Sequence, residues 1–136
     1  MLEVAVFNIE SAIQAQAAGA NRLELCENPN EGGTTPSYGT LSVVSSTISI
    51  PVFPIIRPRG GDFLYTRAEF DVMKNDIRLC KELGFAGVVI GLLLFFWARR
   101  ASAMFFSSIM PPPPPLPSFP SPLTSLICHS IVRLIL

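Results

Sequence analysis

The stretch Ile55-Ile56-Arg57-Pro58-Arg59-Gly60-Gly61-Asp62-Phe63 decides how the whole chain is read. An apolar strand runs directly into two arginines, two glycines and an aspartate. That is the composition of a strand's C-terminal tip opening onto a polar loop, where guanidinium groups and closely approaching backbone N–H groups suit an anion. The plainer reading is a rigid turn in which Asp62 pairs with Arg59 or caps the turn. Working back from the tip, Ile50 to Ile56 reads as one strand, with Pro51 at its start, where a missing N–H is tolerated.

Further toward the N-terminus, Leu2 to Phe7 reads as a buried strand. Asn8 caps a helix from Ile9 to about Ala18, and Gly19 ends it. Arg22 to Cys26 is a second short strand, followed by a polar loop from Glu27 to Thr34. Thr35-Pro36 predicts an N-cap with proline at the first helical position; Leu41, Val44 and Ile48 then share one face. On the other side of the tip, Thr66 and Glu69 have capping-box spacing. Phe70, Met73, Ile77 and Cys80 form an apolar stripe at steps of three and four, Gly84 terminates the helix, and Ala86 to Gly91 is a fourth strand. The order βαβαβαβ predicts an α/β fold with a parallel sheet and helical crossovers.

Composition divides the 136 residues in two. Ten acidic and seven basic residues lie between Glu3 and Glu82, leaving that part at −3; from Leu83 onward there are only Arg99, Arg100 and Arg133. With no basic stripe, nucleic acid is not an expected partner. Three cysteines without regular spacing indicate free thiols in a reducing compartment. An early acid and no basic n-region argue against a secretory signal, so a cytoplasmic location is expected. After Leu92 the periodicity ends. Ala86 to Ala98 is apolar but shorter than the roughly twenty residues a membrane span needs; no span is expected, although Leu92–Trp97 would be an adhesive patch. Eight of the thirteen prolines fall in the tail, and Pro111–Leu123 uses only Pro, Leu, Ser and Phe. All four can be encoded in pyrimidines alone, so one hypothesis is a translated polypyrimidine tract from a retained intron. An ordinary spliced exon at the locus would remove it. The alternative is a proline-rich linker or ligand. Residues 1–92 are expected to fold, and 93–136 to form a disordered, low-complexity, Pro-rich tail.

Three blocks carry a family resemblance: Asn21-Arg22-Leu23-Glu24-Leu25-Cys26, Glu31-Gly32-Gly33-Thr34-Thr35-Pro36-Ser37, and Ile50-Pro51-Val52-Phe53 running on through Arg57-Pro58-Arg59-Gly60-Gly61-Asp62-Phe63-Leu64-Tyr65. In these blocks and their spacing the chain resembles the copper homeostasis protein CutC family, over about residues 2 to 92. The resemblance implies a TIM (β/α) barrel, a role in copper tolerance and Cu(I) binding, with no firmly attached reaction. Ala5 stands where many members carry a cysteine, and Asn8 where an aspartate is frequent. The Asp-Gly loop after strand four and the later His-Arg-Ala-Phe-Asp motif are absent. The expectation is therefore a partial barrel of about four parallel strands and three helices, strands one to four of eight. Its open sheet edges would favour self-association.

Within such a barrel, Leu23 and Leu25 face the helices, while Glu24 and Cys26 look inward. A buried carboxylate needs a partner, and Arg57 is the expected one for Glu24, as a polar site or a structural bridge. Cys26 is the copper candidate, since a soft thiolate suits Cu(I); taken alone it reads rather as a buried small hydrophobe. Cys80 reads as core, and Cys128 and His129 sit in the tail without partners. Glu31-Gly32-Gly33-Thr34 is weak, because most Gly-Gly loops are only turns. No Ser-His-Asp set, Cys-x-x-Cys pair or phosphate loop is present. Two functions follow as expectations. One is a copper homeostasis protein taking Cu(I) through Cys26. The other is a barrel enzyme or binding protein for an anionic small molecule, using Arg57, Arg59, Gly60, Gly61 and Asp62 with Glu24 as acid or base. A third possibility is a splice or gene-model product performing neither.

Overall fold

The computed structural model describes residues 1–93 and 129–135. β1 (Glu3–Val6), β2 (Arg22–Leu25), β3 (Val52–Ile56) and β4 (Gly87–Leu93) alternate with α1 (Ile9–Ala17), α2 (Tyr38–Thr47) and α3 (Arg67–Glu82). The strands pair in parallel, with Ala5 beside Glu24, Glu24 beside Phe53 and Ile55 beside Val89. Alternation along β2 then separates two faces. Leu23 and Leu25 are fully buried on the helix side with Pro54, Ile56 and Val88. Glu24 and Phe53 occupy the opposite face, where both are half-buried.

Local chemistry explains the helix boundaries. The Asn8 side chain accepts from the Ser11 N–H at 2.8 Å, and α1 ends before Gly19, whose φ of +90° suits glycine. Thr66 and Glu69 close the capping box of α3. The stripe below it, Met73, Ile77 and Cys80, is buried to within 1%; fully burying Met and Ile side chains contributes about 1.5–3 kcal/mol each. α2 corrects the sequence reading. Ser37, not Thr35, is its N-cap, accepting from Thr40 N–H at 3.2 Å. Thr35 is held elsewhere: its N–H donates to the Arg57 carbonyl at 2.9 Å and its hydroxyl accepts from the Arg57 N–H at 2.8 Å. That cross-strand tie delays the helix by two residues.

A second correction concerns the tail. β5 (His129–Ile135) extends the sheet, in the order β1-β2-β3-β4-β5, where sequence reasoning placed disorder. Ile131, Val132, Leu134 and Ile135 are strand formers, and the outer edge of β4 is a template for such a segment. The Pro-rich run 111–123, residues 94–97 and Cys128 lie outside the described residues. At the other side of the sheet β1 is the terminal strand.

Candidate functional site

The site lies at the C-terminal tips of β2 and β3, and Arg57 organises it. The residue is 5% exposed. Its guanidinium Nη1 donates to the carbonyls of Glu31 and Gly33, the latter at 2.9 Å, and Nη2 donates to the Gly61 carbonyl at 2.8 Å. One cation thus joins the β2–α2 loop to the β3–α3 loop. The Phe63 ring stacks over it, with the guanidinium carbon 4.6 Å from the ring centroid. The ring also meets β4: a Cβ on Gly91 would lie 2.5 Å from Phe63 Cε1. Two buried polar atoms here lack hydrogen-bond partners, Arg57 Nε and Tyr65 Oη.

The expected bridge between Arg57 and Glu24 is not formed; the Arg57 donors go to carbonyl oxygens instead. The reason is register. Glu24 pairs with Phe53, and Arg57 lies four residues further along β3, roughly 13 Å at 3.3 Å per residue. Burial raises the Glu24 carboxyl above its usual range.

Cys26 follows β2 and is 3% exposed, its N–H donating to the Val6 carbonyl at 2.8 Å. Burial pushes its thiol up to about 12, and the neighbouring Glu24 charge adds to the effect. Gly33 connects it to Arg57. A Cβ at Gly33 would stand 3.3 Å from Cys26 Sγ, while the Gly33 carbonyl accepts from Arg57. The φ of +94° at Gly33 disfavours side chains independently. For Cu(I), Cys26 supplies one soft donor and Glu24 a hard one; no group of three His, Cys, Asp or Glu able to hold a metal occurs among the described residues. The donor set present is therefore partial for a soft monovalent ion, which favours thiolate and thioether ligands.

Arg59 and Asp62 form a different unit. Arg59 donates to the carboxylates of Asp62 at 3.0 Å and Glu69, and to the carbonyls of Gly60, Asp62 and Leu64. Asp62 also accepts from the Leu64 N–H at 3.1 Å. Its carboxyl is held below the ordinary range, chiefly by the Arg59 hydrogen bond. Arg59 is thus committed to the loop and to the start of α3, and its guanidinium lies 5.5 Å from the Tyr65 ring centroid. Gly60 sits beside the Glu31 side chain. Sequence reasoning assigned no role to Phe63, Tyr65 or Gly91. The first two stood inside the quoted motif, but only the fold reveals that their rings pack on the two arginines.

At the opposite ends of the strands, a cavity of about 250 Å³ is lined by Val44, Ile48, Ile50, Val52 and Phe85 among others, with no titratable side chain. In barrels of this kind that end contributes stability rather than chemistry. No described helix is long and apolar enough to cross a membrane.

Comparison with known proteins gives one answer. The CutC family model matches residues 1–95. CutC family proteins from Serratia proteamaculans and Sodalis glossinidius are 54% and 58% identical over 92 residues, covering 68% of this chain and 36% of each relative. The chain thus spans just over a third of the length of these curated relatives. A crystal structure from Streptococcus agalactiae, of a CutC protein described in terms of copper homeostasis, superposes with a TM-score of 0.68 at 30% identity. It covers 82% of this chain and 57% of that one.

Proposed function

The chain belongs to the CutC family, and from that premise we propose that it is a copper homeostasis protein of the binding kind, in which Cys26 contacts Cu(I) as cargo. The observation carrying this reading is the placement of the described thiols. Cys80 is sealed on the buried face of α3, whereas Cys26 directly follows β2 at the strand tips, near Glu24. A soft thiol at the mouth end of a barrel is suited to soft-metal capture. Its chemistry sets a condition. A thiol with a pKa of about 12 is protonated at neutral pH, so Cu(I) has to displace its proton, and affinity should rise about tenfold per pH unit between 6 and 8. A second soft donor is also required beyond Cys26. Anaerobic Cu(I) titration against a competing chelator tests the reading on the whole chain, on Cys26→Ala and on Cys80→Ala. Stoichiometric binding lost only in Cys26→Ala supports it; unchanged stoichiometry in that variant removes it.

A second reading, a small anionic ligand held at the 57–62 loop, is favoured by one specific observation: Arg57 keeps a buried Nε–H without an acceptor. Cytoplasmic location and self-association along the β1 edge are further proposals. Size-exclusion chromatography with light scattering decides the latter, and a monodisperse monomer would remove it.

A further inference from the structure

We propose that Arg57 Nε and Tyr65 Oη are paired donors of an oxyanion site beneath the Phe63 ring, built for a carboxylate or a phosphate group on a small molecule. The inference rests on the anion reading above and narrows it, from the 57–62 loop as a whole to Arg57 together with Tyr65.

Both atoms are buried and neither has a partner. Arg57 is 5% and Tyr65 9% exposed. A buried donor without an acceptor costs about 1–3 kcal/mol, and few such atoms occur in native structures. Here two share one neighbourhood. The Arg57 guanidinium acts on the Tyr65 hydroxyl through its charge and through a side-chain contact, both opposing the upward push of burial on its pKa, but that contact falls short of a hydrogen bond that would satisfy Arg57 Nε or Tyr65 Oη. A guanidinium only donates, and a neutral phenol can donate as well. An oxygen acceptor carrying negative charge satisfies both at once. Nη1 commits both of its N–H groups to the Glu31 and Gly33 carbonyls, and Nη2 commits one of its two to Gly61. Those bonds fix the plane of the guanidinium, so that Nε is presented in one direction. Tyr65 is held as firmly. Its ring meets Phe70 edge-on at 6.2 Å and lies under the Arg59 guanidinium. Phe63 itself is half-buried and flanked by exposed Gly61, Asp62 and Leu64. The ligand class follows from this enclosure: a compact oxyanion with one or two oxygens reaching under the ring, rather than a polyphosphate needing an open cradle.

Arginine side-chain NMR of the full-length chain tests the assignment. Inorganic phosphate and malonate are titrated separately, with sodium chloride at matched ionic strength, on the wild type and on Tyr65→Phe, which removes the hydroxyl and keeps the ring. The expected result is a saturable shift of the Arg57 Nε–H with phosphate, malonate or both, no shift with chloride, and binding weakened roughly tenfold or more in Tyr65→Phe. A response to phosphate alone assigns a phosphate ligand, and a response to malonate alone a carboxylate. If Arg59 shifts while Arg57 Nε–H does not, the anion reading stands and this site is wrong. If no arginine responds, both fail. An equal response to chloride, or equal affinity in Tyr65→Phe, also overturns the proposal.

Discussion

Replacing Arg57 by methionine removes the charge while keeping an unbranched side chain of comparable length, so it isolates what the guanidinium does. Three carbonyls lose a donor. The Gly33 carbonyl is bonded in buried surroundings and cannot turn to water, which costs about 1–3 kcal/mol. Those of Glu31 and Gly61 belong to exposed residues and recover hydration, so each loses little. The stacking contact with Phe63 adds about 0.5–1 kcal/mol, while relief from burying a charge offsets part of the sum. The net loss is about 1–3 kcal/mol, read as a lower urea midpoint at constant slope. Because Arg57 joins two loops, hydrogen exchange should accelerate together in residues 27–37 and 57–66 and remain unchanged in α1. Arg57→Lys should fall between, since a compact ammonium cannot reproduce the planar fork. A loss below about 1 kcal/mol, or loosening of one loop without the other, would refute the claim that one cation holds both.

Gly91→Ala places a Cβ 2.5 Å from Phe63 Cε1 and 2.8 Å from Cδ1, so the ring must move, at about 1–3 kcal/mol. Adding Phe63→Leu should recover part of that loss in a double-mutant cycle, and an unchanged urea midpoint in Gly91→Ala would show that the ring does not pack there. Thr66→Ala removes the cap on α3 and should cost about 1 kcal/mol, measured by the same denaturation. Glu69 and Asp62 both have carboxyls below their ordinary range, Glu69 chiefly through the Thr66 N–H and then Arg59. Their stabilisation is complete above the unfolded carboxylate values near 4 and is lost as pH falls through the lower folded values. Melting temperature should therefore decline at acid pH, with Glu69→Gln showing a shallower decline. Cys26 and Cys80 thiols are both pushed up to about 12 by burial first, so at pH 8 in the native state each should react with iodoacetamide at least about a thousandfold more slowly than a free cysteine of pKa 8.5. Rapid alkylation of Cys26 would contradict its burial.

Helices and strands were legible wherever one local rule acted alone. The α3 cap and stripe, the Asn8 cap and the Leu23/Leu25 alternation all follow from spacing within a few residues. α2 was misread at its start because Thr35 satisfies two rules, and the decisive one is a partner just beyond β3, Arg57, twenty-two residues away. The missing Glu24–Arg57 bridge has the same origin: strand register is set across the sheet, and no within-strand pattern reveals that Glu24 stands level with Phe53. β5 could have been read from its run of Ile, Val and Leu, but composition drew attention to the prolines before it.

The residues that mark the family most clearly are also those most fully committed to internal contacts. Arg59 is paired with both Asp62 and Glu69 around the start of α3, and two of the three guanidinium nitrogens of Arg57 hold backbone carbonyls. A motif of two arginines, two glycines and an aspartate therefore records a demand for loop rigidity before it records a ligand. What a ligand can use is the remainder after those internal contacts are counted: the Nε–H and the second Nη2–H of Arg57, the hydroxyl of Tyr65, and the thiol of Cys26 on the other side of Gly33. The Arg57 and Tyr65 groups invite a hard oxygen acceptor and the thiol a soft cation. Gly33 separates them by a backbone and no side chain, so occupancy at one position should be felt at the other. If Cu(I) bound to Cys26 leaves the Arg57 Nε–H resonance unmoved, the two positions are independent and this coupling through Gly33 does not exist.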